Sequence, residues 1–444
     1  MFYKWGHFAY RHRRIIPVIV IALILLMQVL FGSKLADRLS QEGWEDPGAD
    51  STTAAQIEYD TFGRDNSGDV ILLVTAPDGV DRPEVVDKVN AQLGELKAQH
   101  PNQIAHITSY FERPNPQLVN ADHTKAFAAI GLKGDGEQTL KDFRTIQPAL
   151  EALEVPGGTA QIAGATAVAD ALDTGMADDI ARAEKIGLVF VAIILLFVFG
   201  GVVAAAMPLI VGILSIIGSL SLLAVLAQFQ QVNIFSQSII TLLGLGLAID
   251  YGLFMVSRFR EELDRGLDTE EAVAVTTNTA GKTVFFSALM VGVALSGLLM
   301  FPQAFLKSVA YGAISAVVLA AVISVAVLPA LFSMLGTKID FLSVRRRKER
   351  SMEDTVWYKI PAWAMRHARP VVVGVAALLI ALTVPIVGIA FGGINETYLP
   401  PNQVTREAQD EFNEEFPAFR TDPVKLVVQG ADNAQLGQLS LIHI

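Results

Sequence analysis

Seven apolar stretches, each long enough to cross a bilayer, divide this 444-residue chain and decide what it can fold into. They lie near residues 15–32, 186–204, 207–228, 234–256, 283–301, 305–335 and 370–392. A hydrocarbon core of roughly 30 Å takes about 17–25 apolar residues of helix. Only helices and closed barrels satisfy their own backbone polar groups in lipid. The chain therefore reads as a polytopic α-helical membrane protein. Charged residues make up 18% of it, below the roughly one quarter of a soluble domain. The net charge of −11 excludes a nucleic-acid partner, since nothing would neutralise the phosphates. With no cysteine, disulfides, zinc ribbons and thiol chemistry are excluded too. The sequence calls for no metal and no cofactor.

Lys4, Arg11, Arg13 and Arg14 precede the first stretch. No small-x-small cleavage site follows it, so it reads as a permanent helix and not as a signal peptide. Arg258, Arg260, Arg265 and Lys282 follow the fourth stretch, and Arg345, Arg346, Arg347, Lys348 and Arg350 follow the sixth. If every stretch crosses once, all three basic groups share one side, which the positive-inside rule makes the cytoplasm. Residues 1–14 are then a cytoplasmic start and 15–32 the first span. Residues 33–185 form an extracytoplasmic domain, 186–336 spans two to six, and 337–369 a cytoplasmic linker. Residues 370–392 are span seven, and 393–444 open a second outer domain. The expected location is the plasma membrane.

The first outer domain reads as α+β. Strands are expected at 70–74, 104–107 and 126–132, and amphipathic helices at 83–96 and 140–153. Strand, helix, strand, strand, helix, strand is the split βαβ, or ferredoxin-like, plan. His100, His106 and His123 read as scattered surface residues.

An internal repeat sharpens the architecture. His12-Arg13-Arg14 before Pro17 is matched by His367-Ala368-Arg369 before Pro370. Phe62 before Val70–Val74 is matched at the same spacing by Phe416 before Val424–Val428. Both copies run in the same direction through the membrane, so the repeat is parallel. A chain holding two full copies is expected to reach about twice this length, with the second half missing here and the tail 439–444 foreign to it.

Gly244-Leu245-Gly246-Leu247-Ala248-Ile249-Asp250-Tyr251-Gly252 lies inside the fourth stretch. A carboxylate there costs about 2.5–3.5 kcal/mol or more, and such residues line transport paths. Asp250 is read as a buried proton carrier, against the alternatives of a structural hydrogen-bonding group or of a wet position near the cytoplasmic end. Tyr251 can exchange hydrogen bonds with a carboxylate, and Gly244, Gly246 and Gly252 let neighbouring helices approach. Ser287 joins this group if it reaches Asp250; otherwise Ser287 and Ser296 bond their own helix. Ala280-Gly281-Lys282-Thr283 lacks the earlier glycine and strand of a nucleotide loop, so energy has to come from an ion gradient. Arg345–Lys348 is a topology signal, and Asn395-Glu396-Thr397 matches a glycosylation sequon by chance.

The span order, the outer domains after spans one and seven, and residues 246–262 resemble the mycobacterial membrane protein large (MMPL) family of the resistance–nodulation–division superfamily. Phe301-Pro302-Gln303-Ala304-Phe305-Leu306-Lys307-Ser308 resembles the branch that exports trehalose monomycolate. The resemblance implies proton-driven export of a lipid or glycolipid by porter domains. It makes Asp250 and Tyr251 the span-four half of a relay, with Ser287 beside them. It also implies a reciprocal pair on span ten, in the missing half, and leaves room for homo-oligomers or envelope-assembly partners. The competing readings are a Patched-like lipid receptor and a subunit that aids protein translocation.

Overall fold

A computed structural model describes residues 1–35, 38–40, 42–134, 136–343, 356–389, 395–419 and 426–429. It has two compact units, one of Met1–Phe341 with the chain from Glu396 onward, the other of Leu342–Asn395. In the first, α1 (Phe2–Arg11) and α2 (Ile15–Leu30) lead through β1 (Leu39–Ser40) to α3 (Asp50–Phe62). A sheet segment follows: β2 (Val70–Thr75), α4 (Pro83–Gln99), β3 (Ile104–Ser109), β4 (Lys125–Leu132), α5 (Gly136–Glu151) and β5 (Thr159–Ala163). The helical segment comprises α6 (Ala165–Phe199), α7 (Val202–Leu226), the short β6 (Val232–Asn233), α8 (Phe235–Asp264), α9 (Thr269–Thr276), α10 (Lys282–Ser296) and α11 (Ala304–Leu335). The second unit holds α12 (Val356–Arg366) and α13 (Ala368–Thr383), and α14 (Val404–Glu415) belongs to the first.

Among the described residues, six helical runs are long and apolar enough to cross a bilayer: 15–34, 202–226, 235–264, 269–300, 304–340 and 368–388. The chain is a multi-pass membrane protein. The stretch expected at 186–204 differs from its reading. It is the end of α6, which stops at Phe199 because Gly200 turns left-handed, φ 63°. Gly201 then caps α7, which starts at Val202 and not near 207. A hydropathy average cannot see this break. The charge-free end of α6, Ile186–Phe199, is about 21 Å long, short of a bilayer core. The run at 368–388 ends earlier than expected, and residues 390–394 lie outside the described residues.

The four-stranded sheet has the order β3-β4-β2-β5, antiparallel throughout. β2 is central, pairing Leu73 with Phe127 on β4 and Leu72 with Ile162 on β5. Val70 to Val74 are all buried, which explains why this strand reads as a continuous apolar run rather than an alternating one. α4 contributes Val85, Val89, Leu93 and Leu96, and α5 Phe143, Ile146 and Leu150. Helical spacing sets each row on one face, and both rows join the strands in one core.

Those helices cover one face of the sheet. The face that presents Phe127 is closed by residues 404–419. Phe127 meets the rings of Phe412, Phe416 and Phe419 at 5.1, 4.8 and 5.3 Å. Lys125 pairs with Glu411 at 2.9 Å and Glu415 at 2.6 Å. The Gly164 N–H donates to Gln409 Oε1 at 2.8 Å. The sequence assigns 393–444 to the opening of a second outer domain; the structure seats α14 on the first sheet. An apolar sheet face left in water loses about 25 cal/mol per Å² of its burial, and α14 supplies that burial. Of the repeat's second strand, residues 424 and 425 lie outside the described residues. Leu426, Val427 and Val428 carry no strand, as a segment without a ladder partner cannot.

Two outcomes test this cover. Phe412→Ala is expected to destabilise the sheet domain by about 3–5 kcal/mol, read as earlier thermal unfolding. The Lys125 hydrogen bond holds Glu415 below the usual carboxylate range. Burial pulls Lys125 down, but its bonds to Glu415 and Glu411 outweigh this and raise it. The Glu415 contribution is present above its unfolded pKa and is lost as pH falls through the lowered folded value. The Lys125 contribution is present below its unfolded pKa and is lost as pH rises through the raised one. Protection against amide exchange across 404–415, relative to the intrinsic rate at each pH, should be greatest near neutrality and fall in acid.

Candidate functional site

Asp250 and Tyr251 sit mid-way along α8, which packs between α7 and α11. One of the three glycines makes that packing possible. A Cβ on Gly252 would fall 2.7 Å from the Pro208 Cα, whereas one on Gly244 would meet the Ala316 Cβ at an ordinary 3.4 Å. Gly246 differs from its expected packing role, since the space in front of it is open.

Asp250 is exposed in this chain. It lies on an exposed stripe of α8 with Leu242, Gly246 and Phe254, four residues apart and so on one face. Among the described residues it makes no hydrogen bond or ion pair. Tyr251 points the other way and is 6% exposed. Its hydroxyl is buried without a partner of hydrogen-bond geometry. Asp250 and Ser287, the latter half-buried on α10, are the polar groups within electrostatic reach of it. Ser287 thus comes to Tyr251 rather than to Asp250. Ser296 bonds back to the Val293 carbonyl at 2.6 Å, as a helical serine ordinarily does.

α10 owes its setting to a π turn at Thr277–Gly281 that joins it to α9; such turns shift the register of the helix beyond them and recur at functional sites. The Thr277 hydroxyl donates to the Val273 carbonyl at 2.7 Å. Residues 280–283 run from this turn into α10, so their Gly-Lys-Thr cradles no phosphate.

Between the sheet segment and the helices lies a cavity of about 820 Å³, lined by Trp44, Gln56, Tyr59, Arg64, Asp69 and Leu140 among others. Its rim is pinned by three connections. β1 pairs in parallel with β6, the Gly43 carbonyl accepts from the Phe305 N–H at 2.9 Å, and Trp44 stacks on Phe305 at 4.0 Å. At one wall Asp69 pairs with Arg64 and accepts from the Leu132 N–H at 2.9 Å. Burial nevertheless pushes the Asp69 carboxyl above its ordinary range, outweighing the Leu132 and Arg64 contacts.

Three groups form partnerships that the sequence reading did not single out. Glu262 is 2% exposed and pairs with Arg258 and Arg265. Arg260 donates to the Phe199 carbonyl at the end of α6 (3.0 Å) and pairs with Asp340 (2.6 Å). The basic cluster read as a topology signal is therefore also a clasp between helix ends. His123 is no isolated surface residue: its Nδ1 lies 2.6 Å from Asp81 Oδ2, and the Tyr110 hydroxyl donates to Asp81 Oδ1 at 2.6 Å. Burial, with that bond, pushes Tyr110 up to about 12. Arg345–Lys348 and residues 439–444 lie outside the described residues.

The chain matches the MMPL family over residues 43–373. It is 40% identical, over its whole length and 50% of the relative's, to the trehalose monomycolate exporter MmpL3 of Mycobacterium tuberculosis. It is 35% identical, over 97% of its length and 46% of the relative's, to that of Mycolicibacterium smegmatis. With the mycolic acid-containing lipids exporter MmpL11 of Mycolicibacterium smegmatis it shares 27% identity over 96% of its length and 44% of the relative's. The chain spans about half the length of these relatives.

Glu262→Gln is expected to cost about 1–3 kcal/mol, because the buried Glu262 loses its charge while Glu261 still serves Arg258 at 2.8 Å and Arg265 at 2.6 Å. A lower thermal midpoint in detergent, beside an unaltered Glu261→Gln control, checks it.

Proposed function

The chain belongs to the MMPL family, and from that premise we propose that it works within a transporter that exports a lipid or glycolipid of the trehalose monomycolate type across the plasma membrane, driven by the proton gradient. The observation that carries the reading is the exposed stripe on α8. A carboxylate at mid-span that faces away from its own bundle costs several kcal/mol in lipid. It needs a polar partner from another helix, and a reciprocal relay helix of a second half supplies one. Asp250 then carries the proton, the otherwise unpartnered Tyr251 hydroxyl links it to Ser287, and Gly246 gives the incoming helix close approach. No nucleotide loop competes as the energy source.

In this reading the N-terminus is cytoplasmic, and the sheet segment is an outer porter domain of the ferredoxin-like, split βαβ plan. Its cavity suits the cargo. Aromatic Trp44 and Tyr59 line it beside the polar Arg64, Asp69 and Gln56, the mixed lining a glycolipid headgroup calls for. An apolar tail can leave toward the membrane. The repeat adds a partner. α3 and α14 occupy equivalent places, yet α14 is docked on a sheet while α3 buries no residue and leaves Phe62 83% exposed. α3 is accordingly the piece that covers the counterpart sheet.

In the complete protein, Asp250→Asn should reduce gradient-driven export to background while insertion and folding stay unchanged, and Tyr251→Phe should reduce it in part. Undiminished export by Asp250→Asn, or export indifferent to collapse of the gradient, would remove the relay and favour a Patched-like lipid receptor.

A further inference from the structure

The amino-terminal helix has no part in the relay as described, yet it is wedged into the connection that carries half of it. α1 lies against α9, the π turn and α11. Gly6 abuts the α9 backbone, where a Cβ would fall 2.6 Å from the Ala274 Cα. The Tyr3 hydroxyl donates to Glu271 Oε1 at 2.7 Å, and His7 Nδ1 lies 2.8 Å from Glu270 Oε1. Phe2 touches the ring of Phe285 at 5.6 Å, two positions before Ser287 on α10.

One contact is chemically specific. Pro329 stands inside α11. Having no N–H, a proline deprives the carbonyl four residues earlier of its helical donor. Here that carbonyl belongs to Val325, and the Trp5 indole Nε1–H donates to it at 2.9 Å. An indole N–H can only donate, so the match of donor to orphaned acceptor is complete. The place matters as much as the bond. α8 and α11 run in parallel: Ala316 lies against Gly244, and Phe332 stacks on Phe259 at 4.6 Å. Their register is nearly constant between these points, which sets Val325 level with Gly252 and Ser324 level with Tyr251. The Ser324 hydroxyl is buried without a partner there. α11 also packs along α10, which bears Ser287.

We propose that Trp5 is a positioning residue of the proton relay: its indole N–H holds the proline-interrupted α11 in the alignment that brings Tyr251 of α8 and Ser287 of α10 together. The inference rests on the proton-coupled reading above. It assigns the cytoplasmic helix a task that its basic, amphipathic sequence does not reveal.

The test is a double-variant cycle in the full-length transporter, read as gradient-driven export of labelled trehalose monomycolate across a pH series and as thermal unfolding in detergent. Trp5→Phe keeps the ring and removes the N–H. It should lower export about tenfold, the usual scale for an orphaned buried acceptor, and move the pH of half-maximal export. Pro329→Ala restores a backbone N–H to α11. In that background the Trp5→Phe change should alter export by less than about twofold and leave the pH midpoint where it stands. Equal losses in both backgrounds would show that the indole only fills space, and an unmoved pH profile in Trp5→Phe would show that the bond serves stability alone; either overturns the proposal. If Trp5→Phe inserts poorly, recovery of the inserted amount and of the thermal midpoint by Pro329→Ala supports the bond, and no recovery overturns it. Normal export by Asp250→Asn would remove the relay itself. An inactive Asp250→Asn beside an unmoved Trp5→Phe profile would remove this inference alone.

Discussion

A polar group in hydrocarbon finds a protein partner or goes without, and the helical half of this molecule is arranged around that condition. Several of its buried hydroxyls settle within their own helix, as Ser333 does on the Pro329 carbonyl at 2.7 Å. Others are met across helices, as Ser221 meets Gln28 at 2.8 Å. The informative groups are those the local helix cannot serve. The Val325 carbonyl is met by an indole from the amino-terminal helix. The Tyr251 and Ser324 hydroxyls are met by nothing at hydrogen-bond geometry within the described residues. The Asp250 carboxylate is turned out of the bundle altogether. The first completes the fold, and the others are the groups on which the proposed relay rests.

The sheet segment obeys the aqueous counterpart of the same rule. A four-stranded sheet with helices on one face leaves a second apolar face, here carrying Leu73 and Phe127. Water makes that face costly. Three phenylalanines from beyond the seventh apolar stretch close it, and a lysine held by two glutamates fixes their register. α14 is thus held on the first sheet by an aromatic core and by two ion pairs.

Much of this was legible in the residues. The run Val70–Val74 reads as a fully buried strand, and β2 is one, because five consecutive apolar residues can only be satisfied by cover on both faces. Val85, Val89, Leu93 and Leu96 read as a helix face and form one. Asp250-Tyr251 stands out because a carboxylate is so rare among spanning residues. The misreadings have physical causes as well. The α6–α7 boundary falls at Gly200-Gly201, since a left-handed turn depends on φ and not on hydropathy. His123 finds Asp81 across 42 positions, and no local pattern announces a contact at that separation.

By itself the sequence determined the class of molecule, most of its membrane helices and the one acid worth following, because length, hydropathy and charge act locally and additively along a chain. Only the tertiary structure decided which way that acid faces, which sheet α14 covers and which donor answers Pro329. Those outcomes depend on distances between residues far apart in sequence, and nothing short of packing the helices and strands together sets them.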